Sequence, residues 1–95
     1  MSALAGQVAL VTGASAGIGS SIAEAIAAAG AHVVITGRDT RALESVEERI
    51  FAAGGSATIA PVDLADGDGI ARLAAAVSTR WNALDMLVHS AAVLP

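Results

Sequence analysis

The sequence predicts an α/β fold in which strands alternate with helices along the chain and pair into a parallel sheet. Four short apolar runs are typical of buried strands, and three longer segments between them carry apolar residues at helical spacing. Glycines or helix-capping residues stand at most boundaries between these segments. This alternation indicates right-handed βαβ units and, in a doubly wound sheet, the strand order 3-2-1-4.

The first strand and the first helix are separated by a glycine-rich turn. Val8–Thr12 is an apolar run that ends at this turn, and a helical pattern begins at Gly17 and stops at Gly30. Isoleucines recur every four residues along this helix, so we expect them to face the sheet. They are Ile18, Ile22 and Ile26.

The remaining elements follow the same alternation. Further strands are expected at residues 32–36, 57–62 and 84–88. Asp39 or Thr40 can cap a second helix, which ends before Gly54 and Gly55. A third helix is expected at residues 68–80. The residues expected to face the sheet from these two helices are Leu43, Val46, Ile50, Ile70, Leu73 and Val77.

The composition excludes several classes of function. The net charge is −4, and all five basic residues are scattered arginines, so the clustered charge that binds nucleic acid is missing. The absence of cysteine excludes disulfides and thiolate metal sites, and we predict no metal site. The opening segment has neither the basic start of a signal peptide nor the unbroken apolar run of a membrane span. We therefore expect a soluble, cytoplasmic protein.

Gly13, Gly17 and Gly19 lie in the turn between the first strand and the first helix. Glycine there allows a sharp turn, a close approach of backbone to a pyrophosphate, and close packing of helix on strand. The N–H groups and positive dipole end of the helix would face the phosphates. With a strand before it and a helix after it, the turn indicates a Rossmann-type dinucleotide-binding fold. A connection that binds nothing is the alternative, and a P-loop is excluded because its lysine is absent.

Residues 12–19 resemble the Thr-Gly-x-x-x-Gly-x-Gly cofactor fingerprint of the short-chain dehydrogenase/reductase family. Residues 62–64 are similar to the family's adenine-contacting segment, and residues 84–92 are similar to its fourth strand and Asn-Asn-Ala-Gly motif. His89, Ser90 and Ala92 replace the two asparagines and the glycine of that motif. The sheet-stabilising hydrogen bonds of those asparagine amides are therefore not expected here.

The resemblance implies roles for individual residues. Asp63 would accept a hydrogen bond from the adenine amino group beside the Leu64 backbone, and Ala91 would line the floor below the nicotinamide-side ribose. Thr12 would tie the first strand to the fourth. The residues that would hold the pyrophosphate and the adjoining ribose are Gly13, Ser15, Gly17, Ile18 and Gly19.

The end of the second strand predicts the choice of nicotinamide cofactor. NAD enzymes usually place an acid there to bind the ribose 2′-hydroxyl, but here Gly37 occupies that position and Arg38 follows it. A guanidinium can bind the 2′-phosphate of NADP(H) through two N–H groups. NAD(H) stays the alternative, because Asp39 is an acid and Ala16 replaces a basic residue of many NADP-binding members. Because Gly37 stands at the position of the acid and Arg38 follows it, we expect Arg38 to bind NADP(H).

The resemblance also implies an oxidoreductase that transfers hydride between the nicotinamide and an alcohol or carbonyl substrate, with Tyr, Lys and Ser as catalytic residues. The chain contains neither Tyr nor Lys. We therefore expect residues 1–95 to be the N-terminal portion of one truncated domain, inactive alone, with the catalytic residues beyond Pro95. The full-length protein is expected to form homo-oligomers. The alternative is a non-catalytic dinucleotide-binding module or a degenerate remnant.

Overall fold

The structure, a computed structural model, describes residues 3–14, 17–60 and 67–89. Within these ranges the strands are β1 (Val8–Thr12), β2 (His32–Thr36), β3 (Ser56–Ile59) and β4 (Met86–His89). The helices are α1 (Gly17–Ala28), α2 (Thr40–Ala52) and α3 (Gly67–Trp81). All three strand pairs are parallel, and the sheet order is β3-β2-β1-β4. The predicted α/β class and strand order are confirmed.

The two central strands are apolar on both faces because helices cover both faces of the sheet. Every residue of β1 is buried, as are all residues of β2 after its first. Val11 and Ile35 pack with residues of α1 and α2 on one face, whereas Leu10 and Val34 pack with Leu73 of α3 on the other. The core is therefore two thin aliphatic layers separated by the sheet.

The buried face of α1 is shifted by one position from its isoleucines, so the predicted face is wrong, although Ile26 packs against the core. Ile18 is 74% exposed, and Ile22 and Ile26 are only half-buried. The buried residues of α1 are Gly19, Ala23 and Ala27. α1 lies so close to the glycine turn and the sheet that only small residues fit on the buried face.

Other element boundaries move by a few residues from their predicted positions. β3 is Ser56–Ile59 instead of 57–62, and residues 61–66 lie outside the described part of the chain. β4 begins at Met86 instead of 84, and α3 extends one residue further at each end. The predicted sheet-facing residues of α2 are all buried, as are Leu73 and Val77 of α3. The side chain of Ile70 lies outside the described residues.

His32 links β2, β3 and α3 at the amino-terminal edge of the sheet. Its Nδ1 lies 3.0 Å from Ser56 Oγ, and its Nε2 lies 2.9 Å from Thr58 Oγ1. The His32 and Trp81 ring centroids are 5.1 Å apart, and the Arg80 guanidinium carbon lies 4.9 Å from the centroid of the Trp81 ring. Burial, and to a smaller extent the positive charge of Arg80, lowers the pKa of His32 below its ordinary value of 6.5.

We expect protonation of His32 to destabilise the fold. Its folded-state pKa lies below the unfolded-state value, so the unfolded state binds more protons between the two values. The stabilising contribution is therefore fully present above pH 6.5 and decreases as the pH falls through the window below that value. Thermal midpoints of the full-length parent and the His32→Gln variant, measured from roughly pH 8 to pH 5, check this. The difference between the two thermal midpoints should become smaller as the pH falls. A difference that stays constant or grows would contradict the expected role of His32.

Candidate functional site

The candidate site lies at the carboxyl edge of the sheet. Because the strands are parallel, the ends of β1, β2 and β4 meet at this edge, at Thr12, Thr36 and His89. β1 has β2 on one side and β4 on the other, so the chain leaves β1 toward one half of the sheet and later crosses to the other half. Ligands of open α/β sheets bind in the crevice at such a reversal.

The glycine turn follows β1 at this edge, and the structure describes residues 13–14 and 17–19 of it. Gly13 has φ 66° and Gly17 has φ 58°, a left-handed conformation that side chains disfavour. Gly19 is required for a different reason, since a Cβ there would overlap the Gly13 carbonyl oxygen and lie 2.8 Å from its carbonyl carbon. All three glycines are therefore set by backbone geometry.

The surface at the start of α1 is open. Outside its chain neighbours and its own helix, no described atom lies within 4 Å of where a Cβ on Gly17 would be. The first turn of α1 contains no acidic residue, and Ser20 Oγ donates to the Gly17 carbonyl oxygen at 2.8 Å. The first N–H groups of a helix lack partners within it and carry the positive end of its dipole. This surface can therefore accept an anion.

Hydrogen bonds hold the glycine turn over the ends of both neighbouring strands. The Ala14 N–H donates to the Thr36 carbonyl oxygen at 2.9 Å, and both residues are fully buried. Thr12 Oγ1 donates to the Val88 carbonyl oxygen at 3.5 Å, the link from β1 to β4 expected from the sequence. The contact from Ala14 was not foreseen, and its only sequence signal is a polar residue, Thr36, at the end of a buried strand. It brings the turn next to the residues that follow β2.

Arg38 and Asp39 follow β2 and are both exposed, but their side chains differ in their interactions. Asp39 is the N-cap of α2, and its Oδ1 accepts a hydrogen bond from the Ala42 N–H at 3.2 Å. Arg38 forms no hydrogen bond or ion pair with any residue that the structure describes. The guanidinium is thus available to an anionic ligand, whereas the carboxylate is already bound to the helix.

Comparison with known proteins identifies the family. A sequence profile described as short chain dehydrogenase matches residues 7–95. The chain belongs to the short-chain dehydrogenase family. A fatty acyl-CoA reductase of Acinetobacter baylyi is 45% identical over 86 residues, which are 90% of this chain and 29% of the reductase. The chain thus spans less than a third of that relative.

Solved structures of short-chain dehydrogenases share the fold of this chain. A metagenomic short-chain oxidoreductase in complex with NADP superposes with a TM-score of 0.88 and 48% identity, over 97% of this chain and 42% of that one. A 3-oxoacyl-(acyl-carrier-protein) reductase of Agrobacterium tumefaciens with NADP bound gives a TM-score of 0.85 and 38% identity, over 97% of this chain and 35% of that one.

The structure brings five of the predicted site residues to the carboxyl edge: Gly13, Gly17, Ile18, Gly19 and Arg38. The other four, Ser15, Asp63, Leu64 and Ala91, lie outside the described residues. In the part of the chain that the structure describes, no group of three or more His, Cys, Asp or Glu residues could hold a metal ion. No helix there is both long and apolar enough to cross a membrane.

Proposed function

We propose that this chain forms the NADP(H)-binding part of an oxidoreductase that acts on an alcohol or carbonyl substrate. The observation that carries the proposal is the position of an open glycine turn beside an arginine that has no partner among the described residues, at the edge where β1 and β2 end. The contact from the Ala14 N–H to the Thr36 carbonyl oxygen, at 2.9 Å, joins these two features. Two similar short-chain dehydrogenases have NADP in their structures, which supports this choice of cofactor.

The glycine turn fits a pyrophosphate. Its open surface at Gly17 lets backbone approach phosphate oxygens, and the α1 N-terminus supplies N–H donors and a positive dipole end. Ile18, 74% exposed, would lie beside the adjoining ribose. The remaining contacts that we propose are those of Ser15 with the pyrophosphate, Asp63 and Leu64 with the adenine, and Ala91 with the nicotinamide-side ribose.

The charges after β2 favour NADP(H) over NAD(H). Arg38 offers a positive charge and several donors to the 2′-phosphate, which NAD(H) lacks. Asp39 is an acid near this position, but its Oδ1 caps α2 by accepting the hydrogen bond from the Ala42 N–H, and no side chain is present at Gly37.

The nicotinamide supplies the hydride chemistry when it is bound. This chain binds and orients the dinucleotide, and it contains no Tyr or Lys for the proton relay of the family. We therefore propose that the relay and the substrate pocket belong to residues outside these 95. The similar proteins include a fatty acyl-CoA reductase and a D-threitol dehydrogenase. Sequence similarity therefore supports only the broad substrate class of alcohols and carbonyls.

Arg38→Ala is expected to weaken NADP(H) binding selectively. Each charge-assisted hydrogen bond to the 2′-phosphate contributes about 1.5–3 kcal/mol, so the dissociation constant should rise about tenfold to a hundredfold. NAD(H) binding should stay nearly unchanged. Calorimetric titration of the full-length protein with both cofactors measures this difference.

Gly37→Asp is the matched opposite change. It supplies an acceptor for the ribose hydroxyl and a charge that repels the 2′-phosphate, so it should strengthen NAD(H) binding and weaken NADP(H) binding. Equal weakening of both cofactors by Arg38→Ala would make Arg38 a general electrostatic or structural contributor and would refute the preference for NADP(H). A parent protein that favours NAD(H) would refute it as well.

A further inference from the structure

The three residues between β2 and α2 are held firmly at both ends. Thr36 ends β2, is fully buried, and its carbonyl oxygen accepts the hydrogen bond from Ala14. Leu43, in the first turn of α2, is also fully buried. Between these anchors, Arg38 and Asp39 are exposed, so the backbone that carries the Arg38 side chain depends on local hydrogen bonds.

Asp39 supplies those local bonds through both its side chain and its backbone. Its backbone is extended, with φ −100° and ψ 100°, and its Oδ1 accepts from the Ala42 N–H at 3.2 Å. Its carbonyl oxygen accepts from the Leu43 N–H at 3.0 Å. The first turn of α2 has no acidic residue of its own, so Asp39 provides the negative charge that complements this end of the helix.

We infer that Asp39 is a positioning residue for Arg38 and thereby sets the preference for NADP(H) over NAD(H). The cap fixes the start of α2, and with it the point from which the Arg38 side chain extends toward the 2′-phosphate. It also directs the Asp39 carboxylate to the helix N–H groups, where its charge repels the 2′-phosphate less. Asp39 itself touches no part of the cofactor. The inference rests on the proposed function, because it requires that Arg38 binds the phosphate.

The test compares Asp39→Ala with Asp39→Ser in the full-length protein. Serine keeps a capping oxygen, whereas alanine does not. Asp39→Ala is expected to raise the NADPH dissociation constant about threefold to tenfold and to leave that of NADH within about twofold. Asp39→Ser should restore NADPH binding. Thr40→Ala is the control, because Thr40 is an exposed neighbour whose side chain forms no hydrogen bond with any described residue.

A double-mutant cycle separates positioning from simple stabilisation. If Asp39 acts through Arg38, then Asp39→Ala should have no further effect on NADPH binding in the Arg38→Ala background. Equal effects in both backgrounds would overturn the inference, as would a lower thermal midpoint with unchanged cofactor constants. Weaker NADH binding in both Asp39 variants would show that Asp39 reads the ribose, which also overturns it. Failure of the proposed function is distinct, since Arg38→Ala alone would then leave NADPH binding unchanged or weaken NADPH and NADH binding equally.

Discussion

Gly19→Ala is expected to distort the glycine turn, to destabilise the fold and to remove dinucleotide binding. The added Cβ would overlap the Gly13 carbonyl oxygen and lie 2.8 Å from the Gly13 carbonyl carbon and 3.2 Å from Ala14 Cα. These are backbone atoms, and Ala14 is fixed by its hydrogen bond to Thr36, so none can move aside alone. Inserting a group into a packed site costs about 1–3 kcal/mol and occasionally more. Thermal midpoints and NADPH dissociation constants of the full-length protein measure both effects.

Gly55→Ala is the matched control for this substitution. A Cβ on Gly55 would also be crowded, at 3.0 Å from Ile50 Cγ2, 3.3 Å from Ala27 Cβ and 3.3 Å from the Ile50 carbonyl oxygen, but it would overlap none of these atoms, and it lies at the opposite edge of the sheet. We expect Gly55→Ala to lower the thermal midpoint less than Gly19→Ala does and to leave the NADPH dissociation constant unchanged. Gly19→Ala should raise that constant at least about a hundredfold. Parent-like stability and affinity in Gly19→Ala would refute the packing assigned to α1.

The order and type of the elements could be predicted from local patterns. Parallel strands buried on both faces need continuous apolar runs, which is why Val8–Thr12 and His32–Thr36 were located to the residue. The apolar stripe of α2 at Leu43, Val46 and Ile50 predicted its buried face equally well. In both cases the residues that determine the structure are large and apolar, and hydrophobic periodicity detects such residues.

The buried face of α1 could not be found in this way. Its isoleucines give the stronger periodic signal, but the space beneath the helix admits only glycine and alanine, as Gly19 and Ala23 demonstrate. A pattern of hydrophobicity carries no information about how closely two backbones approach. The glycine spacing of the family fingerprint does carry that information, because close packing of helix on strand is one of the roles that it implies for these glycines.

Apart from the link from Thr12 to β4, which the family resemblance implied, side-chain contacts between residues distant in the sequence were also beyond prediction. His32 meets Ser56 and Thr58 only because β2 and β3 pair with His32 opposite Ser56, a register that local patterns do not specify. The sequence likewise left Asp39 open between a helix cap and a ribose acceptor, and the structure shows the cap. Local chemistry thus proposed the candidates, and the structure adds the tertiary geometry that local patterns lack.

Gly17→Val is expected to abolish dinucleotide binding in a protein that still folds. Gly17 has φ 58°, and the space where its Cβ would stand is open, so the branched side chain would strain the backbone and fill the surface where a pyrophosphate would approach. The backbone strain alone costs on the order of 1 kcal/mol. Losing the N–H contacts to a charged group should raise the NADPH dissociation constant at least about a hundredfold. Calorimetric titration of the full-length protein measures it.

Gly54→Val is the matched control for Gly17→Val. Titration of both variants is the most direct test of the claim that the glycine turn binds the cofactor. Gly54 has φ 89° and equally open space around its missing Cβ, but it follows α2 at the opposite edge of the sheet. Both variants carry similar backbone strain and should lose similar stability. Loss of NADPH binding in Gly17→Val, with parent-like binding in Gly54→Val, is the expected result. Parent-like affinity in Gly17→Val, or equal losses in the two variants, would contradict the assignment of the phosphate site to the glycine turn.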